Sequence, residues 1–308
     1  MASLARLLLA VLIAGAWALP GDAAPRLRVV ATIPDFAALT EAVGGDRVDV
    51  ESLARGNQNP HDLEVRPSLM LKLRRADALV VNGLDLDAWA HAVIHGANNA
   101  RVVPGAPGYI DASRGVQVLD VPSGRVDRSM GDVHPLGNPH YTMDPGQASV
   151  VTATILEGLA RLAPEERAAM ERRRQAFLAR LDAAMRAWTE RLAPVRAARI
   201  VVYHSDFAYF FRRFGLTQVG TIEERPGIPA SPAHLADLVG KVRAGQGRVL
   251  VVVEPWHDRR LAARVAEEAG GRLVVLNEKL GVVRGGDGYI ANIDANVEAL
   301  ARAVQGPP

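Results

Sequence analysis

Cysteine is absent from all 308 residues of the sequence. Without thiols a chain cannot form disulfides, use a thiolate nucleophile, or hold an iron–sulfur cluster or a cysteine-based zinc finger. A charge excess is also missing, because 36 basic residues face 34 acidic ones and the formal net charge is +2. This balance gives no electrostatic reason to expect nucleic acid as a partner. With 49% apolar residues, the composition indicates a globular protein with one large domain or two medium ones.

Long apolar runs are scarce as well. One run covers residues 7–19, after Arg6 and before Pro20, and it is shorter than the roughly 20 residues that a membrane span needs. A small-residue stretch, Gly21-Asp22-Ala23, follows it. This pattern predicts a signal peptide over residues 1–23 and export to the periplasm. Because no cysteine follows the run, the sequence also predicts that the mature protein is not a lipoprotein.

Strand-like and helix-like segments alternate along most of the chain, which is typical of α/β folds with parallel sheets. The alternation predicts an N-terminal α/β lobe over residues 24–160 and a C-terminal one over residues 195–308. Apolar residues at helical spacing predict one long helix over 164–192, about 43 Å at 1.5 Å per residue, that joins the lobes as a rigid connection. Residues 101–139 break the alternation and are predicted to be a long surface loop, with a mobile part at about 112–139.

Four polar residues lie where such a fold presents functional groups. His61 and His140 each follow Asn-Pro, in NPHDLE and NPHYTMDP, and proline stiffens the turn that carries each histidine. His204 ends a strand, at the sheet edge where ligands of α/β proteins bind. Asp287 stands in a glycine-rich turn before the last helix. The other histidines are expected at solvated surfaces or on the loop: His91, His95, His134, His234 and His257.

The motifs TIPD, NPHDLEVRPS, NPHYTMDP, YHSDFAYFFRRFGL and GDGYIANIDANVEAL occur in this order. In combination they resemble the solute-binding proteins of zinc and manganese ABC transporters, the cluster A-I metal-receptor class, over essentially the whole mature chain. The resemblance implies a metal ion between two lobes, with His61 and His140 from one and His204 and Asp287 from the other. It also implies a membrane permease of an ABC transporter as the partner.

Three imidazoles and one carboxylate form a ligand set that suits Zn²⁺. In the class that the chain resembles, histidine at the third position is typical of zinc receptors. We therefore predict a periplasmic zinc receptor, monomeric and not an enzyme, that carries one Zn²⁺ per chain as its cargo. A manganese or iron receptor of the same class stays open. Less favoured alternatives are a secreted metallohydrolase, for which Glu254 is a well-placed base, and a surface adhesin.

Residues 112–139 occupy the place where many zinc receptors carry a histidine-rich loop, yet this loop has few histidines. We predict that His134, with Asp132 and Asp127, forms an accessory metal-loading site, or that a periplasmic metal-donor protein docks on the loop. An exposed loop histidine without a role is the equal alternative.

Overall fold

The computed structural model describes residues 25–127, 130–280 and 286–305, and for residues 286 and 287 the backbone alone. The first half of the chain builds a parallel four-stranded sheet in the order β2-β1-β3-β4. Its central strands are apolar and buried because helices cover both faces. The strands are β1 Leu27–Ala31, β2 Val48–Ser52, β3 Ala78–Val81 and β4 Tyr109–Asp111, and the helices are α1 Pro34–Gly44, α2 Pro67–Arg74, α3 Ala90–Ala97 and α4 Ala148–Leu162.

Strand β4 lies where the sequence predicts only loop. Its residues pair in parallel with β3, with Tyr109 opposite Leu79 and Asp111 opposite Val81. Three residues with one fully buried side chain are too short for hydrophobic periodicity to reveal a strand. The prediction of an uninterrupted loop over 101–139 is therefore wrong at this strand. Further along, Leu119 pairs antiparallel with Asn138, which closes the base of the loop that follows β4.

The second half repeats the architecture. A second parallel sheet has the order β6-β5-β7-β8, so the predicted fold of two α/β units with parallel sheets is confirmed. All five side chains of β7 are buried, as expected for a central strand of a covered sheet. The strands are β5 Arg199–Val202, β6 Thr217–Thr221, β7 Val249–Val253 and β8 Arg272–Val275, and the helices are α6 Ala208–Phe214, α7 Pro232–Ala244 and α8 Arg259–Glu268.

Two long helices, α5 Arg167–Arg191 and α9 Gly286–Gln305, tie the halves together. The predicted long helix is thus present, with a short 3-10 turn over its first three residues. Along α9, Tyr289 packs its ring 6.4 Å from that of Phe177 in α5, and Trp188 Nε1 donates to Asp294 Oδ1 at 3.0 Å. Helix α9 also contacts α1 of the first half. One apolar core therefore includes residues from both sheets.

The N-terminal segment, residues 1–24, lies outside the described residues. The signal peptide over 1–23 therefore stays a prediction, as do the exact lobe boundaries and the mobility of residues 112–139. Among the helices that the structure describes, none combines the length and the apolar character that crossing a membrane requires.

The contact of α5 with α9 generates a prediction about stability. Trp188 is 2% exposed, so Trp188→Ala should lower the free energy of unfolding by about 3–5 kcal/mol, through lost burial and the cavity that remains. Trp188→Phe keeps most of the buried ring and should cost less. Urea unfolding followed by circular dichroism measures both. The control Arg186→Ala, on the exposed face of the same helix, should change little, and a wild-type midpoint for Trp188→Ala would contradict the bridging role of α5.

Candidate metal centre

The two NPH segments fold as the same turn. In the first, Asn59 Oδ1 accepts the backbone N–H of His61 at 3.0 Å. In the second, Asn138 Oδ1 accepts the backbone N–H of His140, also at 3.0 Å. Each is an Asx turn, in which the side chain replaces a backbone carbonyl while the intervening proline fixes its own φ. The repeated motif therefore presents each imidazole from a stiff local frame.

Bonds from other elements hold both turns in place. Trp89 Nε1 donates to the carbonyl oxygen of Pro60 at 2.9 Å, which fixes the first turn to the N-terminal half. The second turn is bonded to the C-terminal half, because Tyr209 Oη donates to Asn138 O at 2.7 Å and Asn138 Nδ2 donates to Ser205 O at 3.2 Å. This second set of bonds brings His140 beside the carboxyl end of β5, where His204 stands.

Three histidines and one aspartate form a compact cluster. His61, His140, His204 and Asp206 each offer one ligand atom, and these atoms all lie within 4.8 Å of one another. The imidazole centroids are 5.1 Å apart for His61 and His140, 5.4 Å for His61 and His204, and 5.8 Å for His140 and His204. The structure thus brings together three of the four residues singled out in the sequence. The side chain of Asp287 lies outside the described residues, so its role stays a prediction.

Sequence reasoning missed Asp206. Its Oδ1 lies 3.1 Å from His140 Nε2 and 3.4 Å from His204 Nε2, and the side chain is 2% exposed. Asp206 comes two positions after His204, in a segment that the sequence pattern predicts only as the start of a helix. An acidic residue so close to a strand-end histidine was the available signal, because both side chains meet the same sheet edge.

Two of the imidazoles have a carboxylate on the nitrogen that faces away from the cluster. His140 Nδ1 lies 2.7 Å from Glu278 Oε1, and His204 Nδ1 lies 2.8 Å from Glu223 Oε2. A carboxylate accepts the Nδ1 hydrogen and leaves Nε2 with its lone pair for a metal, an arrangement typical of histidine ligands. The outer carboxylates therefore set the tautomer and the orientation of both rings.

The third imidazole has a different outer neighbour. His61 Nδ1 lies 3.2 Å from His134 Nε2, so the loop histidine that the sequence assigned to metal loading touches the cluster itself. His61 Nε2 and Asp206 Oδ1 are buried atoms without a hydrogen-bond partner among the described residues. Buried polar atoms without partners are rare in folded proteins, and a metal ion at the centre of the cluster would satisfy both.

Burial and the charged groups around the cluster shift the pKa values of its side chains. Burial alone would lower the pKa of His204, but the charges of Asp206, Glu223 and Glu254 outweigh it and raise the pKa to about 10. Burial raises the pKa of Asp206. Burial and the neighbouring imidazoles hold the pKa of His61 well below its usual value. At neutral pH His204 therefore carries a proton, and binding of a metal through its Nε2 would require loss of that proton.

The structure corrects the placement of His257. This residue lies in the cleft, with its Nδ1 2.6 Å from Glu254 Oε2 and its ring stacked on Tyr203 at 4.4 Å between centroids. Its ring centroid is 6.0 Å from that of His204. The prediction that His257 lies at the surface was wrong. Strand β7 runs parallel beside β5, so the loops that follow the two strands lie at the same edge of the sheet. His91 and His95 are exposed as predicted, and His234 is half-buried.

A cavity of about 450 Å³ opens over the cluster. Asp132 lines it, and the backbone N–H of Asp132 donates to Pro226 O at 2.8 Å. Asp127, the third residue of the predicted accessory set, is exposed and does not line the cavity. The loop therefore reaches the mouth of the cluster through His134 and Asp132. The cavity is lined by Asn59, His61, Asp62, Asp132, His204, Asp206, Glu223, Gly227, Trp256 and His257.

Comparison with known protein families decides the assignment. The model of the family described as zinc-uptake complex component A, periplasmic, matches residues 29–303. The chain belongs to this family. The match includes parts of both sheets and of both long helices and every residue of the cluster, so the resemblance of the sequence motifs to metal receptors is confirmed.

The known proteins that this chain resembles are distant from it in sequence. AdcA of Streptococcus pneumoniae, named a zinc-binding lipoprotein, is 24% identical over 92% of this chain, which spans only 57% of the length of AdcA. MtsA of Streptococcus pyogenes, named an iron ABC transporter substrate-binding lipoprotein, is 24% identical over 90% of both chains. A crystal structure of ZnuA matches with a TM-score of 0.76 at 25% identity, over 91% of this chain and 100% of that one.

These relatives overturn one expectation. The absence of cysteine predicted a protein that is not a lipoprotein, yet AdcA and MtsA are both named lipoproteins. The names of these relatives are the finding that overturns the expectation, and residues 1–24, where an anchor would be processed, lie outside the described residues. The corrected expectation is a location outside the cytoplasm, with which the family description agrees.

The charges around His204 generate a prediction about pH. A folded-state pKa of about 10, against an ordinary value of 6.5, means that the protonated ring contributes its full stabilisation of the fold below pH 6.5. This contribution is lost as the pH rises towards 10. Glu223→Gln removes the carboxylate charge at Nδ1 and should lower the His204 pKa in the metal-free protein, as measured by NMR titration of the ring. Glu224→Gln, at the exposed neighbouring position, is the matched control, and a wild-type His204 pKa near 6.5 would refute this electrostatic account.

Proposed function

We propose that this protein binds one Zn²⁺ ion in the cleft and delivers it to the membrane permease of an ABC transporter. The observation that carries the proposal is the convergence of three imidazoles and a carboxylate on one buried point. At two of these imidazoles a carboxylate accepts the Nδ1 hydrogen, which leaves Nε2 as the atom that binds metal, at His204 after loss of its extra proton.

The spacing of the donor atoms supports a tetrahedral ion. Donors at about 2.0–2.1 Å from a tetrahedral zinc ion lie about 3.3–3.4 Å from one another. Asp206 Oδ1 stands 3.1 Å and 3.4 Å from the Nε2 atoms of His140 and His204, close to that spacing. We therefore propose Asp206 as a ligand in addition to the three histidines, and we retain Asp287, which the family resemblance implies, as a second predicted carboxylate.

The donor set also bears on the choice of metal. Imidazole suits zinc and also iron, whereas carboxylate oxygens suit manganese. Three imidazoles support zinc, as do the family description and the name of AdcA. Two points favour a second candidate, an iron or manganese receptor. Asp206 together with Asp287 would make the set richer in oxygen, and MtsA is named for iron.

We propose a carrier rather than an enzyme. A metallohydrolase needs an open coordination position and a nearby base. The candidate base, Glu254, is fully buried, and its Oε2 lies 2.6 Å from His257 Nδ1, so that this oxygen is already paired. A monomeric state and a periplasmic donor protein remain predictions that accompany this proposal.

The ligand set predicts the effect of removing one histidine. His204→Ala should weaken zinc binding by more than the 10–100-fold that is typical for loss of an outer partner, because it removes a ligand directly. Competition with a chromophoric zinc chelator measures the dissociation constant. His95→Ala, which removes an exposed histidine of α3, should bind zinc as the wild type does.

Anomalous scattering at the zinc edge, from protein offered equimolar zinc, manganese and iron, identifies the metal. One zinc ion per chain at the cluster is the expected result. Wild-type affinity in His204→Ala would refute the ligand set, and an iron or manganese signal at the cluster would favour the second candidate.

The two carboxylates can be separated by charge-removing variants. Asp206→Asn and Asp287→Asn should each weaken zinc binding, and the double variant should bind more weakly than either, because each removes one negative donor. Asp62→Asn, at an exposed acid that lines the cavity outside the cluster, controls for the general loss of negative charge. Zinc titrations of the four proteins measure the effect. If Asp206→Asn binds no more weakly than Asp62→Asn does, Asp206 is not a ligand.

A further inference from the structure

The contact between His61 and His134 constrains a proton. His61 Nδ1 and His134 Nε2 are 3.2 Å apart, and the rings stack at an angle of 29° with centroids 5.1 Å apart. Two imidazole nitrogens at this distance form a hydrogen bond only if one carries hydrogen and the other offers a lone pair. The contact is therefore compatible with two arrangements, and they differ at the opposite nitrogen of His61.

The two arrangements have opposite consequences for the cluster. If neutral His61 carries its hydrogen on Nδ1, it donates to His134, and its buried Nε2 offers a lone pair to the cluster. If His134 donates instead, the hydrogen of neutral His61 sits on Nε2 and points at the position of the metal. Only the first arrangement lets His61 act as a ligand.

We propose that His134 is the positioning residue of His61, accepting the Nδ1 hydrogen of that ring and so holding Nε2 ready for the metal. The inference rests on the proposed function, and it gives the loop of residues 112–139 a role other than metal capture. His134 does for His61 what Glu278 does for His140 and Glu223 does for His204. The difference is that the acceptor is a ring on a loop.

The loop is held over the cluster by a contact with the C-terminal half. The backbone N–H of Asp132 donates to Pro226 O at 2.8 Å. Gly131 has a φ of +73°, and a Cβ atom there would approach Pro226 O to 2.0 Å, so only glycine permits this approach. We call the contact of residues 131–132 with Pro226 the loop latch.

The loop latch also adjoins the outer partner of a second imidazole. The backbone N–H of Gly227 donates to Glu223 Oε2 at 2.8 Å, and this same oxygen lies 2.8 Å from His204 Nδ1. The turn that receives the loop is thus the turn that orients His204. Docking of the loop therefore positions His61 from one side of the cleft and braces the outer carboxylate of His204 on the other.

Two substitutions of His134 test whether this residue acts by accepting the Nδ1 hydrogen of His61 or only by packing its ring against that of His61. His134→Phe keeps a flat ring for stacking but has no acceptor, and His134→Gln places an amide oxygen near the position of Nε2. We expect zinc affinity to fall about 10–100-fold in His134→Phe and to stay within about threefold of wild type in His134→Gln, as for an outer partner of a ligand. His95→Phe is the control. Wild-type affinity in His134→Phe would overturn the proposal.

A direct ligand would give a different pattern. If His134 itself bound the metal, His134→Gln would lose as much affinity as His134→Phe, and X-ray absorption of the zinc-loaded variant would count one imidazole fewer than in wild type. That result would also overturn the positioning role.

For the loop latch, Gly131→Ala should weaken zinc binding, whereas Gly124→Ala, in open space on the same loop, should not. Equal affinities in these two variants would refute the latch.

A measurement without metal keeps the proposal testable if the proposed function fails. In protein labelled with ¹⁵N-histidine, long-range ¹⁵N–¹H correlations report which ring nitrogen of His61 carries hydrogen. We expect the Nδ1–H form in the wild type and in His134→Gln, and a loss of that preference in His134→Phe. An Nε2–H form in the wild type would overturn the positioning role. A wild type that binds no zinc but shows the Nδ1–H form would overturn the zinc function alone.

Discussion

The proposed site depends on a hydrogen-bond acceptor at the Nδ1 atom of each imidazole, the nitrogen that faces away from the centre of the cluster. A histidine can bind metal through Nε2 only when its hydrogen resides on Nδ1, and a buried N–H needs an acceptor. Glu278 supplies the acceptor for His140 and Glu223 supplies it for His204. Both carboxylates belong to the C-terminal half, although His140 belongs to the N-terminal half. Assembly of the cluster therefore follows from how the two halves pack, and neither half alone orients all three imidazoles.

Packing of the halves is in turn fixed by a shared core rather than by a slender linker. Apolar residues of both sheets belong to one cluster, which α5 and α9 complete. Polar bonds reinforce it at the site, where Tyr209 of α6 donates to the backbone of Asn138 and Tyr289 of α9 donates to the backbone of Thr142 at 2.6 Å. The turn that carries His140 is held by both contacts. A large opening between the halves would break these bonds and expose core residues, so movement on metal binding is expected to concentrate in loops.

Much of the fold was predictable because its signals are local. The strands β3 and β7 are continuous apolar runs, and the two NPH turns carry their own caps and their own φ restraint. What was missed depends on contacts between distant segments. Strand β4 exists because β3 offers it a partner, and His257 entered the cleft because β7 lies beside β5. Asp206 looked like an ordinary helix-start residue until the turn at His140 came within 3.1 Å of it. The sequence shows only that Asp206 is close to a strand-end histidine, and not which distant segment approaches it in the fold.

Charge balance explains why so many ionisable groups are buried around three imidazoles. Burial raises the pKa of Glu254 to about 8 and that of Asp35 to about 6. Burial therefore disfavours the ionised form of both carboxyl groups. Glu278 stays ionised because buried Lys279 and His140 pull its pKa down to about 2 against the effect of burial. Lys279 therefore acts on the site indirectly, by keeping the acceptor of His140 negative.

The positive charge of Lys279, with the proton on His204, balances the buried carboxylates in the absence of metal. A dication bound at the proposed site would take over that balancing role as the proton on His204 leaves. Metal binding there would exchange one compensated set of charges for another, which avoids the heavy cost of leaving any of them buried and unpaired.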